Sequence, residues 1–590
     1  EVIRKHEVPL EWLHQKVSRN QFLILSGILV GCTAGLAGVL LKAIVHYIYT
    51  LITRDYHLHY HLLFYFIFPV TGIVLTVLIV KYLFRGREGK GIPNVLYEIA
   101  RKSSFVAPEK MYTQIVASAV TVGLGGSAGL ESPMAVTGAA IGSNYARTYR
   151  LNYKERTLLL AAGSAAGIAA AFDAPVAGTM FAVEIMLAGV VFSDFIPLII
   201  ASVCGALLSK IILGENVILH FNLKQPFNYH YVPFYLLLGI FCGIYSRYYA
   251  LTARQIDHFF HRFSNRIFAK ALTGGLLLSV LCFLFPPLFG EGYQSVKALA
   301  DRGAVPLMQN SLFAPLAHNE WLILVFIGLI CLTKVFATTL TISSGGNGGN
   351  FAPSLFAGAF LGYFFATAFA LLHLENLPVA NFAIVGMAGA MSGILYAPLT
   401  SIFLIAEVTG GYDLFIPLMI VSTSSYLIVK SFSSYSLDTK MMVDKGQIFS
   451  RQHDKNLLSL LRTYDIIEKD ILTISPDATL GHLINLIKTS KRNLFGVVNT
   501  EKELVGIVML DDIKEVIFNA GLYDSTFIRE IMKLPPAFIH VNEDMDQVMK
   551  KFDETQSWNL PVVSENKFIG FISKSSLLNN YRKLLKDYSA

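Results

Sequence analysis

Apolar runs divide this chain before any motif is read. Uninterrupted stretches at 22–52, 61–84, 194–213, 232–251, 269–289, 320–340 and 413–429 reach the roughly 17–25 residues that carry a helix across a hydrocarbon core. Between them, 111–190 and 345–411 are equally apolar but are interrupted by Gly, Ala and Pro every few residues. No single span stands out there, so the pattern predicts short, broken helices. A bilayer tolerates such pieces only where they pack on protein or line a cavity. Beyond residue 450 the pattern changes. Short β-type runs, Phe495-Gly-Val-Val498 and Leu504-Val-Gly-Ile-Val508, are echoed by Leu560-Pro-Val-Val563 and Phe568-Ile-Gly-Phe-Ile572, beside amphipathic stretches at 477–489 and 544–555. That alternation predicts a pair of α/β modules.

The two broken regions match each other. Gly126-Ser-Ala-Gly-Leu-Glu-Ser-Pro133 is followed by Gly138 and Gly142, and Gly346-Asn-Gly-Gly-Asn-Phe-Ala-Pro353 by Gly358 and Gly362, so that the glycines and the proline fall in register. A second register follows, in which Gly163, Ala174, Pro175 and Glu184 recur as Gly386, Ala397, Pro398 and Glu407. Two successive registers favour an internal duplication, with halves near 20–213 and 232–433, over coincidence in Gly/Ala-rich sequence. Corresponding broken segments in two halves point to a transport site near the bilayer midplane.

Charge sharpens the division. Of 590 residues, 54% are hydrophobic and 15% charged, against roughly 25% charged in an average soluble protein. Residues 1–450 carry 30 basic and 22 acidic side chains, and the remainder 18 and 19, so the basic excess belongs to the apolar body. It sits beside apolar segments, at Arg85, Arg87 and Lys90 and at Arg147, Arg150, Lys154 and Arg156. This is the mark of cytoplasmic loops rather than of a nucleic-acid-binding face. Cys32, Cys204, Cys242, Cys282 and Cys331 are isolated in apolar stretches and predict neither a disulfide framework nor a metal site. The first apolar run is too long for a signal peptide. Glu1 rather than Met opens the chain, as expected of one trimmed at its start.

The chemistry concentrates in the breaks. Pro133 and Pro353 suit the first turn of a helix, where a missing N–H costs nothing. The glycines before them let backbone approach a ligand, and a helix start offers unpaired N–H groups with partial positive charge. Each half thus offers an anion cradle made of backbone, although helix packing through small residues would use the same glycines. Glu131 favours the cradle, because a carboxylate inside an apolar, Gly-rich break is costly and commonly functional. Two residues before Pro133, it can occupy the positive helix start that attracts an anion, and so act as a gate that protonation would empty. Glu184 and Glu407 end apolar helices, where they would face an aqueous vestibule or cap a neighbouring element.

The order Gly89-Lys-Gly-Ile-Pro93, Gly129-Leu-Glu-Ser-Pro133, Gly348-Gly-Asn-Phe-Ala-Pro353 and Tyr435 resembles the voltage-gated chloride channel and chloride/proton antiporter family, whose motifs run GSGIP, GREGP and GxFxP, then a Tyr. The tail over 468–583 resembles the tandem cystathionine-β-synthase-type (CBS) domains of many members. The resemblance implies an all-α polytopic membrane domain with an inverted internal repeat, followed by an α/β tandem CBS tail. It implies an N-terminal cytoplasmic segment over 1–20, the membrane domain over 21–433, a linker over 434–467, and CBS modules over 468–520 and 521–583. It also implies a homodimer in membrane lipid with one pore per subunit, and cytoplasmic N-terminus and CBS domains. Glu131 becomes the gating glutamate. The anion would lie among Lys90, Gly91, Ile92, Gly129, Leu130, Ser132, Asn350, Phe351 and Tyr435.

Departures from the family pattern qualify the mechanism. Lys90 stands where the family has a serine, Leu130 where it has an arginine before the gating glutamate, and Ser132 where it has a glycine after it. The inner glutamate that relays protons in antiporters is Ile185 here, directly after Glu184. An isoleucine carries no proton. Channel-like or loosely proton-coupled chloride transport is therefore expected, with Glu131 and Glu184 the candidate relay residues and a strictly coupled chloride/proton antiporter the alternative. In the CBS pair Asp512 and Ser573 are the positions for an adenine nucleotide, but Met509 and Ser576 replace the usual Thr or Ser and Asp. Scaffolding is favoured over sensing, and no cofactor is required. Two other classes fit less well. An intramembrane protease built on Ser127 lacks a histidine within a later membrane segment, since His57, His59, His230, His318 and His373 lie in flanks or near segment ends. A divalent-cation transporter would want acidic clusters that this body lacks. The chain is thus expected not to be an enzyme.

Overall fold

A computed structural model describes residues 18–56, 61–84, 91–187, 195–214, 225–262, 266–444, 463–490, 492–565 and 567–589. The chain divides into two compact units, Glu1–Ile448 and Phe449–Ala590.

The first half of the first unit runs through α1 (Arg19–Tyr56), α2 (His61–Leu78, continued by a π turn at Ile79–Leu83), α3 (Gly91–Arg101), α4 (Lys110–Gly123), α5 (Glu131–Thr148), α6 (Tyr153–Phe172), α7 (Pro175–Phe181, continued by a π turn at Ala182–Met186) and α8 (Ile196–Leu213). The second half runs through α9 (Val232–His261), α10 (Ile267–Leu284), α11 (Tyr293–Arg302), α12 (Val305–Gln309), α13 (Glu320–Ser343), α14 (Phe351–Leu371), α15 (Val379–Leu395), α16 (Pro398–Val408) and α17 (Phe415–Phe432). A further helix, α18 (Leu437–Asp444), opens the stretch expected to be linker. It packs on α3, α9 and α15, so the membrane body continues beyond residue 433.

Eight of the described helices are long and apolar enough to cross a bilayer. Seven are the uninterrupted runs. The eighth, α14, lies where only broken pieces were expected. Pro353 does not break it, because it sits in the first turn and forfeits no intrahelical bond. The helices differ in what surrounds them. On α13, Leu322, Val325, Leu329, Leu332 and Phe336 are exposed at three- and four-residue spacing while Ile327, Ile330, Lys334 and Val335 are buried, giving one lipid-facing stripe. In contrast α6 and α15 are buried on nearly every side, so both sit inside the bundle.

The register glycines explain how. A methyl on Gly138 would overlap the carbonyl of Gly163, and one on Gly142 that of Leu159. The second half repeats the arrangement with Gly358 against Gly386 and Gly362 against Phe382. The halves also hold each other by matched exchanges. Gly129 and Gly349, which are counterparts, donate N–H to each other's carbonyls at 3.0 and 2.9 Å as an antiparallel bridge. Ser127 N–H donates to Thr341 Oγ1 at 3.1 Å, and its counterpart Asn347 donates to Thr121 Oγ1 at 3.0 Å. Glu407 accepts from the N–H groups of Val176 and Ala177 at the start of α7. Glu184 accepts from Leu399 and Thr400 at the start of α16. The duplication is therefore a structural inverted repeat, with each half supplying partners that the other lacks.

The second unit contains two copies of one module. In the first, β1 (Thr473–Ile474), α19 (Leu480–Thr489), β2 (Leu494–Val498) and β3 (Leu504–Met509) build a sheet in the order β1-β2-β3. After the short α20 (Ile528–Ile531), β4 (Ile539–His540), α21 (Met545–Thr555), β5 (Asn559–Ser564) and β6 (Lys567–Ser573) repeat it, and α22 (Lys574–Ser589) follows. In each sheet the first pair is parallel and the second antiparallel, with a register shift at Val497/Val498 and at Val562/Val563. The amphipathic helices bury Leu480, Leu483 and Ile484, and Val548 and Phe552, in separate small cores.

Candidate functional site

The two Gly-rich loops meet at the Gly129–Gly349 bridge, so α5 and α14 start from almost the same place. Glu131 is the first residue of α5 and is only 2% exposed. A side chain at Gly129 would overlap its carboxylate and crowd the N–H of Ala352, which is why the loop carries glycine there. Oε1 accepts a hydrogen bond from the hydroxyl of Tyr293 at 2.5 Å. Oε2 is buried near the Ala352 N–H, in the first turn of α14, without a hydrogen-bond partner among the described residues. Glu131 thus leans from its own helix onto the positive start of the other half's helix, the place where a free anion would be held.

Two cavities lie near this carboxylate, one lined by Glu131 itself and one by its neighbour Ser132. The first, about 340 Å³, is lined by Lys42, His46, Tyr65, Glu131, Glu291 and Tyr293. Glu291 accepts from the N–H of Leu130, the residue capping α5, at 3.4 Å. Lys42 lines the same cavity. Neither Glu291 nor Tyr293 was singled out from sequence. The signal was there in Gly290-Glu-Gly-Tyr293, a carboxylate between glycines beside an apolar run, the same anomaly that marks Glu131.

The second cavity, about 410 Å³, brings together Gly91, Ile92, Ser132, Asn350 and Phe351 with Asp438. Five residues predicted around the anion therefore share one space. Leu130 lines the first cavity, and Gly129 forms the bridge between the loops. Lys90 lies outside the described residues. Tyr435 stands in the turn before α18, where the Lys440 ammonium is 5.7 Å from its ring centroid. Of this segment it is Asp438 and Met442, on α18, that line the cavity. The aromatic rings of Tyr293 and Phe172, which line the first cavity, are followed by those of Phe351, which lines the second, and Phe181, at successive centroid distances of 6.2, 5.5 and 6.2 Å.

Lys334 is another buried titratable side chain that the sequence reading passed over, although it is a lone lysine in a 24-residue apolar helix. It is fully buried, donates to Ser127 Oγ at 2.9 Å and lies 4.4 Å from the ring centroid of Phe356. Its counterpart in the first half is Gln114, which accepts from Asn347 Nδ2 at 3.0 Å. The duplication is thus matched in hydrogen bonds and broken in charge. Glu184 is fixed at the start of α16, also accepting from Thr400 Oγ1 at 2.7 Å. Ile185 follows it in the π turn that ends α7. In the second unit Asp512 accepts from Lys533 through Oδ1 at 2.7 Å while its Oδ2 is buried without a hydrogen-bond partner among the described residues, and the Ser573 hydroxyl donates to Glu468 at 2.7 Å.

Comparison with known proteins bears on both units. Residues 72–430 match the family model described as voltage gated chloride channel, and 464–519 and 528–583 each match the CBS domain. The chain is 29% identical over 370 residues to a putative chloride channel protein, ClcB-like, of Ralstonia nicotianae, covering 61% of this chain and 81% of that protein. It is 27% identical over 512 residues to chloride channel protein CLC-f of Arabidopsis thaliana, covering 76% and 62% respectively. To the H(+)/Cl(-) exchange transporter ClcA of Vibrio cholerae it is 28% identical over 331 residues, covering 54% and 66%. A slow cyanobacterial Cl-/H+ antiporter shares the fold at a TM-score of 0.61 and 22% identity, over 72% of this chain and 97% of that one. A eukaryotic CLC transporter shares it at 0.58 and 19%, over 94% and 97%. With paired half-helices meeting at a buried carboxylate, and a family match over most of the membrane unit, this chain belongs to the voltage-gated chloride channel family and carries a tandem CBS tail.

Proposed function

We propose that the protein moves chloride and similar anions across a membrane between the two cavities, with Glu131 as the gate. One observation carries the reading: the Glu131 carboxylate rests on the helix start that an anion would need. An ionised Glu131 fills the cradle, and a protonated one gives it up. Backbone N–H groups suit large, weakly hydrated anions without selecting finely among them, so bromide and nitrate should pass with chloride while cations are excluded. Purified protein in liposomes tests this: anion efflux should follow the chloride gradient. A reversal potential that tracks sodium or potassium would refute it.

Channel-like or loosely proton-coupled flow is the form we favour, because Ile185 offers no proton site and the Glu184 carboxylate is engaged by two backbone N–H groups and a hydroxyl. Strict chloride/proton exchange is the second reading, supported by the exchangers among the relatives. Uphill proton movement under a chloride gradient, at a fixed stoichiometry, would select it. We further propose a homodimer, cytoplasmic N-terminus and CBS domains, and a scaffolding role for the CBS pair. The Glu468 partner of Ser573 favours that role over adenine nucleotide binding.

A further inference from the structure

We infer that Asp438 is the protonatable group that controls anion entry from the second cavity, in the absence of an inner glutamate at position 185. The inference rests on the proposed anion route and adds a second control point to it.

The geometry begins at Asn350, the residue that caps α14. Its side-chain oxygen accepts a hydrogen bond from the Tyr249 hydroxyl at 3.2 Å. That fixes the amide at the edge of the second cavity, which Asp438 also lines. Asp438 lies in the first turn of α18 and lines the second cavity with Ser132 and Phe351. Two carboxylates therefore lie near one helix start, Glu131 beside Ala352 and Asp438 in the cavity that Asn350 and Phe351 line. An ionised Asp438 repels an anion that enters this cavity. Protonation removes the charge and leaves an O–H that can itself donate to the anion.

Other charged groups also line this cavity. Asp257 and His261 come from α9 and Lys270 from α10. The Ser343 hydroxyl donates to Asp257 at 3.0 Å. On α18 itself the Lys440 ammonium lies against the Tyr435 ring. The cavity-lining residues of α3, Gly91 to Asn94, and Leu395 of α15 bring no charge.

The test is anion flux through the full chain with the two membrane faces bathed separately, at sub-saturating chloride. Acidifying the second-cavity face should speed wild-type flux about tenfold or more. Asp438→Asn should be fast at every pH on that face, and Asp438→Glu should keep the pH response. A pH response in Asp438→Asn equal to that of wild type overturns the inference, as does a wild type indifferent to pH on that face. Should Asp438→Asn fail to fold, the wild-type pH step and Asp438→Glu still decide, since a flat profile in either overturns the inference. Absence of anion flux from wild type at every pH would instead sink the proposed transport function, and this inference with it.

Discussion

Replacing Tyr293 by Phe removes one atom, the hydroxyl oxygen that donates to Glu131 at 2.5 Å. The ring stays, and so does its edge contact with Phe172, so the packing between the cavities is kept. A hydrogen bond to a charged group contributes about 1.5–3 kcal/mol. Water in the 340 Å³ first cavity can reach the freed oxygen and restore part of that, which argues for the low end, about 1.5 kcal/mol. The bond stabilises Glu131 where it fills the cradle, so its loss shifts the gate toward the open position by that amount, about tenfold in equilibrium. Chloride efflux from liposomes containing Tyr293→Phe should accordingly rise about tenfold wherever the gate limits the rate. Thermal stability should change little. Flux within twofold of wild type, with the protein folded, would refute the idea that the phenol holds the gate shut.

Glu131→Gln should give faster chloride efflux that no longer responds to pH on the first-cavity face, and an unchanged response there would remove Glu131 from the mechanism. Gly138→Ala and Gly358→Ala each set a methyl against a backbone carbonyl that cannot step aside; each should cost at least about 1–3 kcal/mol, read as a lower melting temperature in detergent, and an unshifted melt would contradict the packing. Lys334→Met removes the donor to Ser127 Oγ near the first loop and should lower anion flux; flux equal to wild type, with the protein folded, would show that the lysine is structural only. Adenine nucleotide should leave the melting temperature of the tail unchanged, and a concentration-dependent rise would assign it a ligand.

Much of the architecture could be read from residues because a bilayer leaves little choice. An uninterrupted apolar run must become a helix, and seven did. Glycines and prolines in two matching registers reported the duplication, since close helix contact and a helix's first turn tolerate few other residues. The same composition hid α14, because neither its proline nor its glycines break the helix in place. Glu131 was legible as a charge with no local reason to be there. Glu291 and Lys334 carried the same anomaly in weaker form, one in a loop between apolar runs and the other alone in a long helix. Asp438 was not legible at all, because nothing in Tyr435-Ser-Leu-Asp438 tells a linker from a helix that folds back onto the body. Its importance comes from Asn350, 88 residues earlier, which only the fold brings near.

The matched exchanges between the halves have a consequence for how the chain is made. A nascent first half enters the membrane with the N–H of Ser127 and the N–H groups at the start of α7 awaiting Thr341 and Glu407, which have yet to be synthesised. Unpaired backbone donors are costly in hydrocarbon, so the first half must wait with water, lipid headgroups or the insertion machinery serving them. Neither half is a complete solution to its own hydrogen bonding. A chain truncated after α8 should therefore be held at the translocon or degraded rather than stand as a half-sized bundle. The two halves expressed as separate polypeptides should need each other to persist in the membrane.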